Sequence, residues 1–328
     1  MNSYSPNRRN TISIVIPTYN EEQNIGELVD QLQEQLQTSL PQYDHEILII
    51  DNDSIDGTRG IIRLLCKKYS NVKAIFNERN FGWLRSPVYG LTQASGDCIV
   101  MLCADFQDPL DMIPKFVEKW EQGCMVVAGQ KTSSGESKLK YAVRSLYYKI
   151  IRKFSDGNYL EHFTGFGLYD RKFIDVIREL KDPLPFLRGY VMEFIGDPEV
   201  IQYVQPARKH GKSWGSFSRL YDTAMISITA YTKVGLRFAT FLGVISAALS
   251  FAAGLFYLIY KLTHWFTFSA GMAPIIVGIF FIGGIQLFFL GMIGEYILSI
   301  NERVKNRPLV IEEERINFDK HNSDETVH

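Results

Sequence analysis

The chain has 328 residues, 46% of them hydrophobic, and 35 basic against 36 acidic side chains, for a formal net charge of -1. That is ample for a soluble core with apolar sequence to spare, and so even a balance argues against a nucleic-acid partner. The cysteines, Cys66, Cys98, Cys103 and Cys124, lack CxxC spacing and sit mostly in apolar runs. This argues against a disulfide framework or a zinc cluster and for reduced, buried thiols in a cytosolic domain.

Residues 1–10, MNSYSPNRRN, are polar and carry no apolar run after their basic pair, so they read as a frayed tail rather than a cleaved signal. Residues 11–17, TISIVIP, form a β-branched run closed by proline, after which Ile25, Leu28, Val29, Leu32 and Leu36 recur at helical spacing. The pattern repeats with EILIID at 46–51, an Asp/Ser/Gly turn, and a helix around Ile61, Ile62, Leu64 and Leu65. Short apolar runs follow at 72–76, 98–102 and 125–128. Strands apolar on both faces and alternating with helices predict a parallel, doubly wound sheet, whose ligands lie beyond the C-terminal ends of its strands. Polar clusters stand at those places: TYNEE, DNDSIDGT and ADFQDP.

From 133 to 162 the chain is basic and amphipathic, with Lys138, Lys140, Arg144 and Lys149 interleaved with tyrosines, and 213–236 is a second such stretch. These read as surface helices or as faces for anionic lipid. Phe238–Tyr260 and Met272–Gly294 hold no charged side chain, and each is long enough to cross a hydrocarbon layer of about 30 Å. Lys261 is the lone Lys or Arg of the connector, whereas Lys233, Arg237, Arg303, Lys305 and Arg307 flank the outer ends, which predicts cytoplasmic termini. The predicted organisation is therefore a disordered tail (1–10), a cytosolic catalytic domain (11–212), an interfacial helix (213–236), a transmembrane hairpin (237–299, spans about 238–260 and 272–296) and a charged cytosolic tail (300–328), mobile after Pro308.

Asp105, beyond the strand at 98–102, suits a hard divalent cation such as Mg2+ or Mn2+, which takes oxygen ligands and shares them with substrate phosphates. Gln107 or Asp108 is the second candidate ligand, although Asp108 before Pro109 also fits a helix N-cap. Cys103 is a soft thiol that such an ion does not choose. In the DNDSIDGT turn, Ser54 and Asp56 read as helix caps and Asp51 as an acceptor for a nucleobase N–H. No GxGxxG or GxxxxGK[ST] loop follows a strand, so neither a dinucleotide fold nor a P-loop is indicated.

SIVIPTYNEEQNI, IIDNDSIDGT, NERNFG, ASGDCIVMLCADFQDP and GMIGEYI followed by RP resemble the polyprenyl-phosphate glycosyltransferases of glycosyltransferase family 2, across residues 11 to about 312. The resemblance implies a GT-A type doubly wound catalytic domain, interfacial helices and a membrane hairpin, with a nucleotide sugar as donor, a polyprenyl phosphate, most simply undecaprenyl phosphate, as acceptor, and self-association. It places the enzyme in the inner membrane as a multi-pass protein. By the same resemblance Pro17, Tyr19, Asn20 and Glu21 surround the nucleotide with Asp51 and Asp53, while Asp105 and Gln107 hold the metal. Arg208, in the basic loop QPARKHGKSW, meets a phosphate, with Lys131, Arg144, Lys212 and Ser213 toward the acceptor phosphate. Two positions depart from the family pattern: Cys103 stands where DxD begins, and TGFGLYDR replaces TGDFR, leaving Asp156, Glu161 or His162 as alternative bases.

The implied reaction is inverting transfer of one sugar from a UDP- or GDP-linked donor to the lipid phosphate. Two alternatives stand beside it. Gln205 and Arg208 match part of the QxxRW signature of processive polysaccharide synthases, with Lys209 in place of tryptophan. Cys103 and TGFG are also compatible with a catalytically weak membrane scaffold.

Overall fold

The computed structural model describes residues 9–133, 160, 163–209, 234–264, 272–305 and 307–318. The chain divides into two compact units, one of residues 1–146, 157–214 and 305–328 and one of 147–156 and 215–304.

In the first unit, β1 (Thr11–Thr18), β2 (Asp44–Asp51), β3 (Val72–Asn77) and β4 (Cys98–Met101) are parallel neighbours in the order β4-β1-β2-β3. Their connections are α1 (Ile25–Ser39), α2 (Thr58–Lys68) and α3 (Gly82–Gln93). These strands are mainly apolar on both faces because both faces are covered. Ile12, Ile14, Ile16, Ile47 and Ile49 pack with Leu28, Leu32 and Ile62 of α1 and α2. Each such side chain contributes about 1.5–3 kcal/mol by leaving water. On the other face α3 approaches so closely that a Cβ at Gly90 would lie 3.0 Å from both Val15 Cγ1 and Ile50 Cγ2.

Beyond the parallel core the sheet is mixed rather than uniformly parallel. After α4 (Met112–Glu121), β5 (Val126–Ser133) and β6 (Phe163–Asp170) follow, with β6 antiparallel to both β4 and β5. Next come α5 (Arg171–Leu180), α6 (Leu187–Tyr190) with a π turn at Val191–Ile195, and β7 (Glu199–Val204), parallel to β5. The eighth strand, β8 (Glu312–Ile316), pairs antiparallel with the β3 edge. The segment expected to be a mobile tail therefore closes the sheet. It does so because its acids meet partners there: Arg59 with Glu313, Arg63 with Glu314, and Tyr89 with Glu312.

In the second unit, α7 (Val234–Thr263) and α8 (Met272–Val304) cover the two apolar stretches. Among the described residues, Phe281–Val304 is the stretch long and apolar enough to cross a membrane, while the apolar part of α7, Thr240–Phe256, is shorter.

Candidate active site

Because β1 to β4 are parallel, their C-terminal ends share one edge, and the strand order reverses between β1 and β4, the place where such sheets bind ligands. Two loops meet at this edge. The Asn20 N–H donates to Ser54 Oγ (2.8 Å), Asn20 Oδ1 accepts from the Ile55 N–H (2.9 Å), and the Glu21 N–H donates to Thr58 Oγ1 (2.8 Å). Asn20 and Asp53 hold left-handed conformations, φ 56° and 65°, which asparagine and aspartate tolerate better than most side chains. Ser54 is therefore a clasp between loops rather than the expected helix cap; Asp56 does hold the Thr58 N–H (3.0 Å) at the start of α2. Pro17, at the end of β1, and Tyr19 are half-buried beside them.

Asp51 ends β2 fully buried. Its Oδ2 accepts from the Ser54 N–H (3.1 Å) and pairs with Arg59 Nε (3.3 Å). Its Oδ1 is buried with no hydrogen-bond partner among the described residues. Burial pushes the Asp51 carboxyl up from its ordinary value, opposed by Ser54 and by the Arg59 charge.

On the β4 side, Asp108 is no cap, since α4 begins only at Met112 after Asp111. Its Oδ2 accepts from the Cys103 N–H (2.8 Å) and its Oδ1 from the Tyr203 hydroxyl (3.3 Å), so it closes the 103–108 loop from within. Burial, with the nearby Asp105 charge, pushes its pKa up to about 6. That loop turns on Phe106, φ 59°, and Asp105 Oδ1 accepts from the Gln107 N–H (3.1 Å). Cys103 is exposed rather than a core thiol like Cys66 and Cys98. Crowding by surrounding protein, then the charges of Asp108 and Asp105, push its pKa well up, so it stands beside Asp105 as a neutral thiol.

The basic loop after β7 crosses the same edge. Arg208 Nη2 lies 2.7 Å from Asp105 Oδ2, Lys209 Nζ lies 2.6 Å from Glu27 Oε1 on α1, and Lys131 Nζ on β5 donates to Gln205 Oε1 (3.1 Å). Glu21 faces this pair: burial, with Asp105 adding to it, pushes its carboxyl up from the ordinary value. The structure thus brings together Tyr19, Asn20, Glu21, Asp51, Asp53, Asp105, Gln107 and Arg208 at one edge, with Lys131 tied to the Arg208 loop. Arg144, Asp156, Glu161, His162, Lys212, Ser213 and the interfacial stretch up to 233 lie outside the described residues.

The sequence profile of glycosyl transferase family 2 matches residues 13–178. The chain is 33% identical over 301 residues to the SfII prophage-derived bactoprenol glucosyl transferase of Shigella flexneri, covering 92% of this chain and 96% of that one. It is 31% identical to the prophage bactoprenol glucosyl transferase homolog of Escherichia coli K12, covering 92% and 97% of the two chains. The chain belongs to glycosyltransferase family 2. Among solved structures, a glucosyl-3-phosphoglycerate synthase from Mycobacterium tuberculosis with Mn2+ and UDP superposes with TM-score 0.45 at 18% identity, over 67% of this chain and 78% of that one.

In this family 2 glycosyltransferase of GT-A type, the position after Gly165 carries Phe166 in place of an acid. Phe166 is buried, edge-on to Phe116 (5.0 Å) and to Tyr203 (5.3 Å), so it serves the core. Where the processive enzymes carry tryptophan, Lys209 is held by Glu27 and lies over the Phe106 ring at 5.0 Å. Reading the sequence missed Tyr203, the structural task of Asp108, and Arg59. Only Arg59 left a local signal, as the residue directly after the DNDSIDGT cluster.

The donor set fits a dication only in one form. Among the described residues no three His, Cys, Asp or Glu side chains cluster as a cage. Asp105 offers a single carboxylate whose Oδ2 faces a displaceable cation, Arg208, while Asp108 is spent on the backbone. Such a site suits Mg2+ or Mn2+ held by one carboxylate and by the ligand's own phosphates.

Proposed function

We propose that the enzyme transfers one sugar, with inversion, from a nucleoside diphosphate sugar to a polyprenyl phosphate. The observation that carries this reading is the match along 92% of the chain to an enzyme named for glucosyl transfer to bactoprenol; undecaprenyl phosphate and UDP-glucose are accordingly the first substrates to test.

Each part of the edge has a task in that reaction. Asp51 Oδ1, buried and unpartnered, accepts the N–H that uracil or guanine presents at its pairing edge. Tyr19, Asn20, Glu21 and Asp53 form the clasped wall beside the nucleotide, with Pro17 behind it. Asp105, with Gln107 beside it, is the residue that would hold Mg2+ or Mn2+, which when bound offsets charge on the leaving diphosphate. Arg208 leaves Asp105 as the donor enters and turns its charge to the diphosphate, where preorganised charge lowers the barrier. Lys131, through Gln205, sets this loop, and Arg144, Lys212 and Ser213 are assigned to the acceptor phosphate.

A phosphate monoester has a second pKa near 6, so the attacking oxygen is already ionised at neutral pH and no strong base is needed. Phe166, in place of the acid, is consistent with this. A lipid acceptor stays in the bilayer, and helices α7 and α8, as a hairpin with cytoplasmic termini, keep enzyme and acceptor in the same membrane. The test incubates purified full-length protein with undecaprenyl phosphate, Mn2+ or Mg2+ and a panel of radiolabelled UDP- and GDP-sugars. Counts in the organic phase from one donor are expected. A panel in which no donor labels the lipid would refute the reading.

A further inference from the structure

Asp51 is held from a distant part of the chain. Its ion-pair partner Arg59 also donates, through Nη2, to Glu313 Oε2, across 254 residues of sequence. Glu313 lies on β8, where the register against β3 shifts: Phe76 faces Glu314 and Asn77 faces Glu312, leaving Glu313 as the extra residue. Such a bulge re-aims a side chain, and here the re-aimed carboxylate meets Arg59.

The strand carrying it is anchored from several sides. Arg63 Nη2 donates to Glu314 (2.7 Å), the Tyr89 hydroxyl to Glu312 (2.7 Å), and Asn317 Nδ2 to the Cys66 and Val72 carbonyls (2.8 and 2.7 Å). Arg59 and Arg63 both lie over the face of Phe76, at 5.1 and 4.5 Å. Phe76 is the residue paired across the sheet with Asp51. The Arg59 guanidinium is thus clamped between an aromatic face and the Glu313 carboxylate, with its remaining edge toward Asp51.

We infer that Glu313 and Arg59 are positioning residues for the nucleotide base, so that the segment following the apolar helices is part of the donor site. The inference rests on Asp51 being the base acceptor. A carboxylate on its own turns freely about its last torsion; with Oδ2 hydrogen-bonded by the Ser54 N–H and ion-paired with Arg59, Oδ1 is the oxygen left for the ligand. Arg59 also supplies the countercharge that a buried carboxylate needs to remain an acceptor. Glu313 fixes Arg59 in turn.

The test titrates full-length enzyme with UDP and GDP in the presence of Mn2+, and separately with pyrophosphate and Mn2+, which lacks the base. For the nucleoside diphosphate that wild type prefers, Arg59→Ala should weaken binding about tenfold or more, as loss of a charge-assisted contact does. Glu313→Gln should weaken it by a smaller factor, the double variant should be no weaker than Arg59→Ala, and pyrophosphate affinity should stay constant in all three. Wild-type nucleotide affinity in both single variants, additive losses, or an equal loss of pyrophosphate binding would overturn the inference. Asp51→Ala separates the two readings. If it too binds nucleotide like wild type, the base-acceptor role itself fails. If it alone is weak, only the roles of Arg59 and Glu313 fall.

Discussion

Arg208 Nη2 stands 2.7 Å from Asp105 Oδ2, so the cation of the basic loop neutralises the acid at the end of β4. Asp105 is almost buried and Arg208 about a quarter exposed, with side-chain exposures of 7% and 27%. The pair joins the two halves of the proposed chemistry: opening it frees an oxygen for a dication and a guanidinium for the diphosphate.

Arg208→Ala should therefore lower turnover at saturating donor by about 100-fold, the usual cost of removing one preorganised charge from a reacting site. Steady-state kinetics with donor varied at fixed lipid phosphate check this. A rise in donor KM with kcat unchanged would mean that Arg208 only binds.

Cys103→Asp should reduce the Mn2+ concentration needed for half-maximal activity, because a hard carboxylate replaces a neutral thiol beside Asp105. Activity measured across an Mn2+ titration reads the effect directly. An unchanged midpoint would place position 103 away from the ion.

Gly167→Ala should destabilise the catalytic unit by about 1–3 kcal/mol, the range for overpacking a filled core. An added Cβ would lie 2.4 Å from the Val127 carbonyl oxygen and 3.3 Å from Ala128 Cα, both backbone atoms that no rotamer change moves. Gly60→Ala, on α2 with open space around it, should instead gain about 0.5–1 kcal/mol. Denaturant unfolding of the two variants should shift in opposite directions.

The acid limb of stability should carry the signature of Glu46. Its carboxylate is raised by burial, but Lys73 Nζ (2.8 Å), Ser13 and the Ser95 N–H (2.8 Å) more than offset this and hold its pKa below the ordinary 4.5. A depressed pKa means stability present above 4.5 and lost as pH falls through the folded-state value. Glu46→Gln should flatten unfolding free energy against pH in that window, and a slope identical to wild type would contradict the assignment.

The parallel core was legible because β1 to β4 are apolar on both faces, a pattern that fully covered strands produce. The shared position of the polar clusters at one edge of the sheet was legible for the same reason: a polar cluster directly after a buried strand has few other places to be. Asp108 was misread because the Asp-Pro sequence carries the local mark of a helix start, whereas its carboxylate bonds back to Cys103. Strand β8 was hidden because Glu312, Glu313, Glu314 and Arg315 look like solvated charge. Their partners, Arg59, Arg63 and Tyr89, are more than 220 residues away in sequence, beyond the reach of any local pattern.

The most direct measurement is transfer of labelled glucose from UDP-glucose to undecaprenyl phosphate by Asp105→Asn, with its thermal midpoint recorded alongside. The substitution keeps the side chain's shape and removes its charge. Organic-phase counts should fall about 100-fold or more while the protein stays folded. Wild-type counts from the folded variant would contradict the assignment of Asp105 to the reacting diphosphate.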